Sequence, residues 1–136
     1  MTRKKLLSSL DYHGVDINKL MVKSCQKNFP KILFGQSNAP IFEVDFAIMS
    51  GTYNYSVIEN IFLWEKYILE NLTNCWMKCK SGIIFNIQRS DSSFIRNKIF
   101  YTTLSRMKYL LSKKFKKISC YKSKYFDQDL LFVILK

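Results

Sequence analysis

The sequence predicts an α/β protein built on an open, mostly parallel sheet that ends in an antiparallel hairpin. Strand-like and helix-like segments alternate along the 136 residues in the order β-α-β-β-α-β-α-β-β. Several strand segments are near-continuous apolar runs, which is typical of strands covered on both faces. The last two strands are separated only by residues 125–129, and so short a connection favours an antiparallel pair.

The element boundaries follow from periodicity, capping residues and chain breakers. Helices are expected, in chain order, over residues 2–10, 18–28, 57–80 and 98–115. Strands are expected over residues 12–17, 31–35, 43–50, 83–87, 117–124 and 130–135, and a polar loop over residues 88–97. All of these elements fit one partial domain that spans residues 1–136.

The helices are the most clearly marked elements. Asn18 is a good N-cap for the second helix, and Pro30 closes it. The long third helix has apolar residues at spacings of three and four, namely Ile61, Trp64, Ile68, Leu72, Cys75, Trp76 and Cys79. Ser81-Gly82 is expected to end it, with Gly82 in the left-handed cap position. The fourth helix is expected to turn Leu104, Met107, Leu110 and Leu111 inward.

Composition excludes several classes of protein. No apolar run approaches 18 residues, so no transmembrane helix is predicted. The basic N-terminus has too short an apolar stretch for a signal peptide, and a cytoplasmic location is expected. The four cysteines and the single histidine form no ligand set for a metal. Buried thiols in a reducing compartment account for the cysteines.

A formal net charge of +12 has two interpretations. The first is a basic surface for nucleic acid, formed by lysines near the C-terminus: Lys113, Lys114, Lys116, Lys117, Lys122 and Lys124. The second is compositional, because lysine is enriched together with Ile, Asn, Phe and Tyr. Lysine is also a point charge, whereas arginine makes the forked contacts to phosphates and base edges.

Polar residues follow three of the expected strands. Asp16 ends the first strand, Ser50-Gly51-Thr52-Tyr53-Asn54 follows the third, and Asn86 lies near the end of the fourth. In open α/β sheets, ligands bind beyond the carboxyl ends of the strands. Each residue alone also has an ordinary structural explanation, such as helix capping or a tight turn.

Taken together, these segments resemble class I S-adenosylmethionine-dependent methyltransferases, a family with a Rossmann-like fold. The matching segments are Gly14–Asn18, Asn28-Phe29-Pro30, Phe34-Gly35-Gln36, Val44–Asn54, Lys80–Asn86 and Leu131–Lys136. The resemblance spans nearly the whole chain. It implies S-adenosyl-L-methionine as the cofactor, and it assigns the residues below.

In this resemblance, Asp16 holds the ribose hydroxyls of the cofactor, with Asn18 beside it, and Ile17 packs on the adenine. Gln36 stands where many relatives have an aspartate that accepts from the adenine amino group. The methionine end is lined by Ser50, Gly51 and Thr52, and the methyl acceptor is faced by Tyr53, Asn54 and Asn86. No catalytic base is assigned.

The sequence departs from the family at its front. The family begins with a strand and a glycine-rich turn under the methionine moiety, and this first strand lies between the strands that end at Asp16 and Ser50. Here the residues before Tyr12 contain no glycine. We therefore expect a methyltransferase fold without its first strand, with two unpaired strand edges.

The function that follows is an S-adenosylmethionine-dependent methyltransferase of small-molecule type, incomplete or inactive as this chain. Two alternatives stay open. One is a basic module that binds nucleic acid through the C-terminal lysines with Tyr121, Tyr125 and Phe126. The other is a non-catalytic subunit whose open sheet edges pair with a protein partner that supplies the missing strand.

Overall fold

The structure, a computed structural model, describes residues 10–122 and 125–136. The predicted helix over residues 2–10 therefore lies almost wholly outside the described residues. Eleven elements are described: β1 His13–Asp16, α1 Lys19–Asn28, β2 Leu33–Gln36, β3 Val44–Met49, α2 Ile61–Lys78, β4 Cys79–Arg89, β5 Phe94–Arg96, β6 Ile99–Thr102, α3 Leu104–Ser112, β7 Lys117–Lys122 and β8 Asp129–Leu135.

The chain divides into two compact units, with the boundary between Ile41 and Phe42. The first unit contains β1, α1 and β2, and the second contains all later elements. The α/β class with mixed parallel and antiparallel pairing is confirmed. That residues 1–136 act as one domain stays a prediction, and each unit is described by itself.

The first unit is a parallel strand pair connected by a helix. β1 pairs with β2 from His13–Leu33 to Asp16–Gln36. Helix α1 begins where the sequence predicts, because the Asn18 side chain accepts hydrogen bonds from the backbone N–H groups of Leu20 and Met21. The helix ends at Asn28, ahead of Pro30.

The second unit contains a six-stranded sheet with β4 at its centre. One edge of β4 pairs antiparallel with β8, which pairs antiparallel with β7. The other edge pairs parallel with β3 along its first part and with β6 at its end. The C-terminal antiparallel pair is thus confirmed. Within the described residues, β3 pairs with no strand other than β4, so its outer edge is open.

Helices α2 and α3 cover one face of this sheet. The side chains that point to this face are fully buried: Ile83, Phe85, Ile87, Leu130, Phe132 and Ile134. Phe85 stacks on Phe132 at 5.2 Å and meets the edge of Tyr53, whose hydroxyl contacts α2. The residues that alternate with them are the more accessible ones, so the apolar core of the second unit lies between the sheet and these helices.

Gly82 does not cap a helix, which corrects the sequence prediction. The helix already ends at Lys78, and Gly82 lies inside β4 opposite Leu135 of β8. A Cβ at this position would clash with the carbonyl oxygen of Ile134. The glycine is therefore needed for the close approach of two strands, a use of glycine that local sequence does not distinguish from a cap.

Residues 88–102 also differ from the prediction of a loop followed by a helix. β4 continues to Arg89, and β5 and β6 form an antiparallel hairpin. Its two-residue connection, Asn97-Lys98, has positive φ angles of 50° and 64°. Both values fit a tight hairpin turn. Glycine is the usual residue at the second position of such a turn. Because Lys98 occupies that position, the sequence does not indicate the turn.

The two later helices are shorter than predicted. Helix α2 begins after Asn60, whose side chain accepts from the N–H of Leu63, and not at Val57. Helix α3 begins after Thr103, which caps it by accepting from the N–H of Arg106. No helix in the part of the chain that the structure describes is long and apolar enough to cross a membrane.

Candidate functional site

The candidate site in the second unit lies beyond the carboxyl end of β3, beside Asn86 in the interior of β4. The two strands run parallel, with Met49 beside Phe85, and β4 continues to Arg89, so the turn after β3 meets the middle of β4 and not its end. A cavity of about 200 Å³ opens there. It is lined by Ile48, Met49, Ser50, Ile84, Phe85, Asn86, Asp129 and Leu131. Ser50 and Asn86, both predicted site residues, thus share one cavity.

The turn after β3 is shaped by Gly51 and Tyr53. Gly51 has a φ of 71°, a left-handed conformation that glycine adopts at little cost, and its carbonyl accepts from the N–H of Asn54 at 3.1 Å. Tyr53 has no exposed surface, and its hydroxyl donates to Oδ1 of Asn71 at 2.8 Å. Nε1 of Trp64 donates to the Tyr53 carbonyl at 3.2 Å. The turn is therefore fastened to α2.

Asn54 connects the same turn to β4 and β6. Its Oδ1 accepts from the N–H of Gln88 at 3.2 Å, and its carbonyl accepts from the N–H of Phe100 at 2.8 Å. A contact between Tyr53 and a methyl acceptor would need the turn to move. The predicted acceptor contacts of Tyr53 and Asn54 stay predictions.

Asn86 bridges the turn to the last strand. Its Oδ1 accepts from the N–H of Gly51 at 2.6 Å, and its Nδ2 donates to both carboxylate oxygens of Asp129 at 2.9 and 3.0 Å. Sequence analysis did not select Asp129. The sequence shows only an acidic residue at the start of the last strand. It does not indicate the pair, because the partner, Asn86, lies 43 positions away.

The remaining predicted residues lie together in the first unit, at the ends of β1 and β2. Oδ1 of Asp16 accepts from the N–H of Asn18 at 2.7 Å, which fixes the exposed carboxylate at the start of α1. Ile17 is 65% exposed, and several other apolar side chains of the first unit are exposed as well, such as Leu20 at 74%. Nε2 of Gln36 donates to the Ile17 carbonyl at 3.2 Å and thereby links the two strand ends.

The structure thus forms two groups of predicted site residues. Asp16, Ile17, Asn18 and Gln36 make up the group in the first unit. Ser50, Gly51, Thr52, Tyr53, Asn54 and Asn86 make up the group in the second unit. Within residues 10–122 and 125–136, no cluster of three or more His, Cys, Asp or Glu side chains is arranged to hold a metal ion.

The fold is that of S-adenosylmethionine-dependent methyltransferases. Solved structures of such enzymes match this chain with TM-scores between 0.58 and 0.64. At sequence identities between 8% and 16%, this likeness establishes the fold alone. No protein-family model matches the sequence, and no curated protein matches it.

Three of the matching structures indicate the range of this fold. A methyltransferase from Leishmania major has a TM-score of 0.64 and 16% identity over 98% of this chain and 58% of its own. The magnesium protoporphyrin IX methyltransferase of Synechocystis PCC 6803, with bound S-adenosylmethionine, has a TM-score of 0.58 and 9% identity over 91% and 58%. A chain of the Pnkp1/Rnl/Hen1 RNA repair complex has a TM-score of 0.61 and 12% identity over 98% and 34%.

The chain therefore spans between about a third and two thirds of the length of these structures, since it covers 34% to 63% of them.

Proposed function

We propose that this chain binds S-adenosyl-L-methionine and belongs to a methyltransferase of small-molecule type. The proposal rests on the arrangement of side chains at the end of β1, in a chain that has a methyltransferase fold. There an exposed carboxylate, that of Asp16, is held by the Asn18 N–H beside the exposed Ile17 side chain. A fixed carboxylate suits two ribose hydroxyls, and an uncovered isoleucine suits the adenine ring.

For the group of residues in the second unit, taken by itself, we propose contacts to the methionine end of the cofactor. Ser50 and Thr52 are exposed, and Gly51 between them has no side chain to obstruct a ligand. The cavity beside Ser50 and Asn86 is about 200 Å³, smaller than the ~300–1,000 Å³ typical of drug-sized ligands. It therefore fits one end of the cofactor or a small acceptor, with Asn86 in its wall. Contacts of Tyr53 and Asn54 with the acceptor are proposed only for a state in which the turn has moved.

In methyl transfer, the main task of the protein is to hold the acceptor and the cofactor in the right positions. S-adenosyl-L-methionine would supply an activated methyl group, and the residues at the end of β1 and in the turn after β3 would bind and orient it toward an acceptor atom. Holding the two reactants in the reactive geometry can lower the activation barrier by about 7–11 kcal/mol. The role proposed for the strand ends is therefore binding and orientation, and no residue is assigned as a base.

The proposal includes a protein segment that completes the sheet. The outer edge of β3 is open in the described part of the chain, and Phe46 and Ile48 on β3 are exposed. Strand edges of this kind are usually paired or covered. A partner that adds a parallel strand to β3 would also supply a glycine-rich turn, and the whole enzyme would then be active only with that segment.

A binding role toward nucleic acid is the second candidate. Lys113, Lys114, Lys116, Lys117 and Lys122 are exposed, as are the aromatic side chains of Tyr121, Tyr125 and Phe126. Lysines with interspersed aromatic rings suit single-stranded nucleic acid. Affinity that falls steeply with salt would favour this candidate.

A cytoplasmic location is also proposed. It is supported by the four cysteines, none of which forms a disulfide in this structure. Cysteines outside disulfides are typical of proteins kept in a reducing compartment.

Calorimetric titration with S-adenosylhomocysteine tests the proposed function. We expect binding by the full chain, and a loss of about tenfold or more in affinity for Asp16→Ala, because hydrogen bonds to a charged group contribute about 1.5–3 kcal/mol. Asp11→Ala is the matched control, since Asp11 is an exposed acid on the same segment. A folded chain that does not bind, or equal losses in both variants, would refute the ribose site.

A further inference from the structure

We propose that Asp129 is a positioning residue that acts through Asn86 to hold the Gly51 turn in the conformation that binds the cofactor. The inference rests on the proposed function, because it assigns the Gly51 turn to the methionine end of S-adenosylmethionine. It concerns three residues that lie on different elements of the second unit: the turn after β3, strand β4 and the first residue of β8.

The donors and acceptors of the three groups determine which end of the Asn86 amide faces the turn. The amide of Asn86 has one accepting end and one donating end, whereas an ionised carboxylate only accepts. Both oxygens of Asp129 accept from Nδ2 of Asn86, at 2.9 and 3.0 Å. The carboxylate therefore turns Oδ1 of Asn86 toward the turn, where it accepts from the N–H of Gly51 at 2.6 Å.

Asp129 itself is held by backbone hydrogen bonds. Its N–H donates to the carbonyl of Phe126 at 3.0 Å, and the neighbouring Gln128 carbonyl accepts from the N–H of Arg89 at 2.6 Å. Asp129 is also opposite Gln88 in the pairing of β4 with β8. Its backbone is consequently fixed relative to β4, and its carboxylate is connected to Gly51 through the side chain of Asn86.

The bridge matters because of the backbone conformation of Gly51. A φ of 71° is readily accessible to glycine but is one of several conformations that glycine adopts. One hydrogen bond from its N–H selects a single conformation, and Asn86 supplies it. Asn86 and Asp129 both line the cavity beside Ser50, so a change in the turn also changes the wall of that cavity.

Nuclear magnetic resonance tests the bridge without any ligand. The chain has four glycines, so labelling glycine with ¹⁵N yields a spectrum in which Gly51 is readily assigned. We expect Asp129→Leu to shift the Gly51 amide signal and speed its hydrogen exchange, because the Asn86 amide that accepts from the Gly51 N–H loses its own partner. Asp127→Leu, a change at an exposed neighbouring acid, should leave the signal in place.

Binding of S-adenosylhomocysteine by the same variants tests the functional part. We expect Asp129→Leu to weaken affinity by about tenfold, the equivalent of ~1.4 kcal/mol, and Asp127→Leu to leave it unchanged. The double variant N86D/D129N exchanges the two side chains. It keeps an acceptor for Gly51 and a donor between the two positions, and it should recover most of the lost affinity.

The single variant N86D separates positioning from general loss of structure. It places two carboxylates together, so one of them has a raised pKa and takes up a proton as the pH falls. That protonated group then donates to the other carboxylate. The affinity of N86D should accordingly rise as the pH falls, relative to the unchanged protein at each pH.

The outcomes are distinct. If the unchanged protein does not bind S-adenosylhomocysteine, the proposed function fails, while the glycine spectrum still reports on the bridge. If Asp129→Leu leaves the Gly51 signal unmoved, or if N86D/D129N binds no better than N86D at every pH, the positioning role is overturned. A shifted Gly51 signal with unaltered affinity also overturns it.

Discussion

At the scale of single residues, Tyr53 shows how a polar side chain after a strand serves the structure of a site. The ring is fully buried, and its hydroxyl donates to Asn71 on α2. Burial raises the pKa of Tyr53 well above its ordinary value, so the phenol stays a hydrogen-bond donor throughout the accessible pH range. That donor is one of the contacts that orient the turn after β3.

We predict that Tyr53→Phe lowers the free energy of unfolding by about 1–2 kcal/mol, because the Asn71 oxygen loses a buried donor. Tyr55→Phe is the control, since Tyr55 is exposed and the change should cost under about 0.5 kcal/mol. Urea unfolding of both variants measures the difference. Equal stability of the two variants would show that the hydroxyl of Tyr53 does not hold the turn.

The sequence was informative where a residue's role is local. Asn18 was predicted to cap α1, and the structure confirms the cap two and three residues away, at Leu20 and Met21. The role of Asp129 rests on Asn86, 43 positions distant, and no local pattern indicates such a pair. The binding roles assigned to Asp16 and Gln36 stay predictions.

At the scale of elements, one ion pair joins helices α2 and α3. Nε and Nη2 of Arg106 donate to the two carboxylate oxygens of Glu65 at 3.1 and 2.7 Å. Glu65 is only 3% exposed, which is low for a charged side chain. It follows Trp64, a member of the apolar stripe of α2. The hydrogen bond to Glu65 raises the pKa of Arg106, so the pair's contribution is complete below the ordinary pKa and is lost only when the pH rises through the raised one.

We predict that Arg106→Leu destabilises the protein by about 2 kcal/mol, because it leaves the Glu65 carboxylate buried without its partner. The cost falls below the ~3–5 kcal/mol of a fully buried pair, since the Arg106 side chain is 35% exposed. The double variant E65L/R106L should regain most of the loss. Lys66→Leu breaks an exposed pair and should change stability little. Thermal unfolding of the unchanged protein and of the three variants measures these differences in stability. A double variant less stable than Arg106→Leu would contradict the prediction.

The elements themselves were predictable where pattern and chemistry agree. Strands β3, β4, β7 and β8 were located, because apolar runs such as Ile83–Ile87 are typical of buried strands. The hairpin of β5 and β6 was missed because Asn97-Lys98 lacks the glycine that marks such turns. Its strands are also short, three and four residues, too brief to show a period.

At the scale of the whole molecule, the six-stranded sheet has one covered face and one accessible face. The residues that point away from α2 and α3 include exposed apolar side chains, namely Phe46, Ile48, Leu131 and Leu135. Strands in parallel sheets usually have both faces covered. An open edge at β3 next to an uncovered apolar face is an arrangement that favours association with another chain.

We predict that the purified chain self-associates with rising concentration, and that Ile48→Lys reduces this association. Ile48 is 72% exposed on the open edge strand, so a lysine there places a charge on the associating surface without disturbing the core. Sedimentation velocity at moderate salt measures the effect, because the charge of +12 opposes association when salt is low.

Val57→Lys is the matched control for this experiment. Val57 is 74% exposed but lies in the segment before α2, away from β3, and the change adds the same single charge. If both lysines reduced association equally, net charge and not the β3 surface would govern it. If neither did, the open edge would be protected within the chain itself, and a partner strand would have no surface on which to dock.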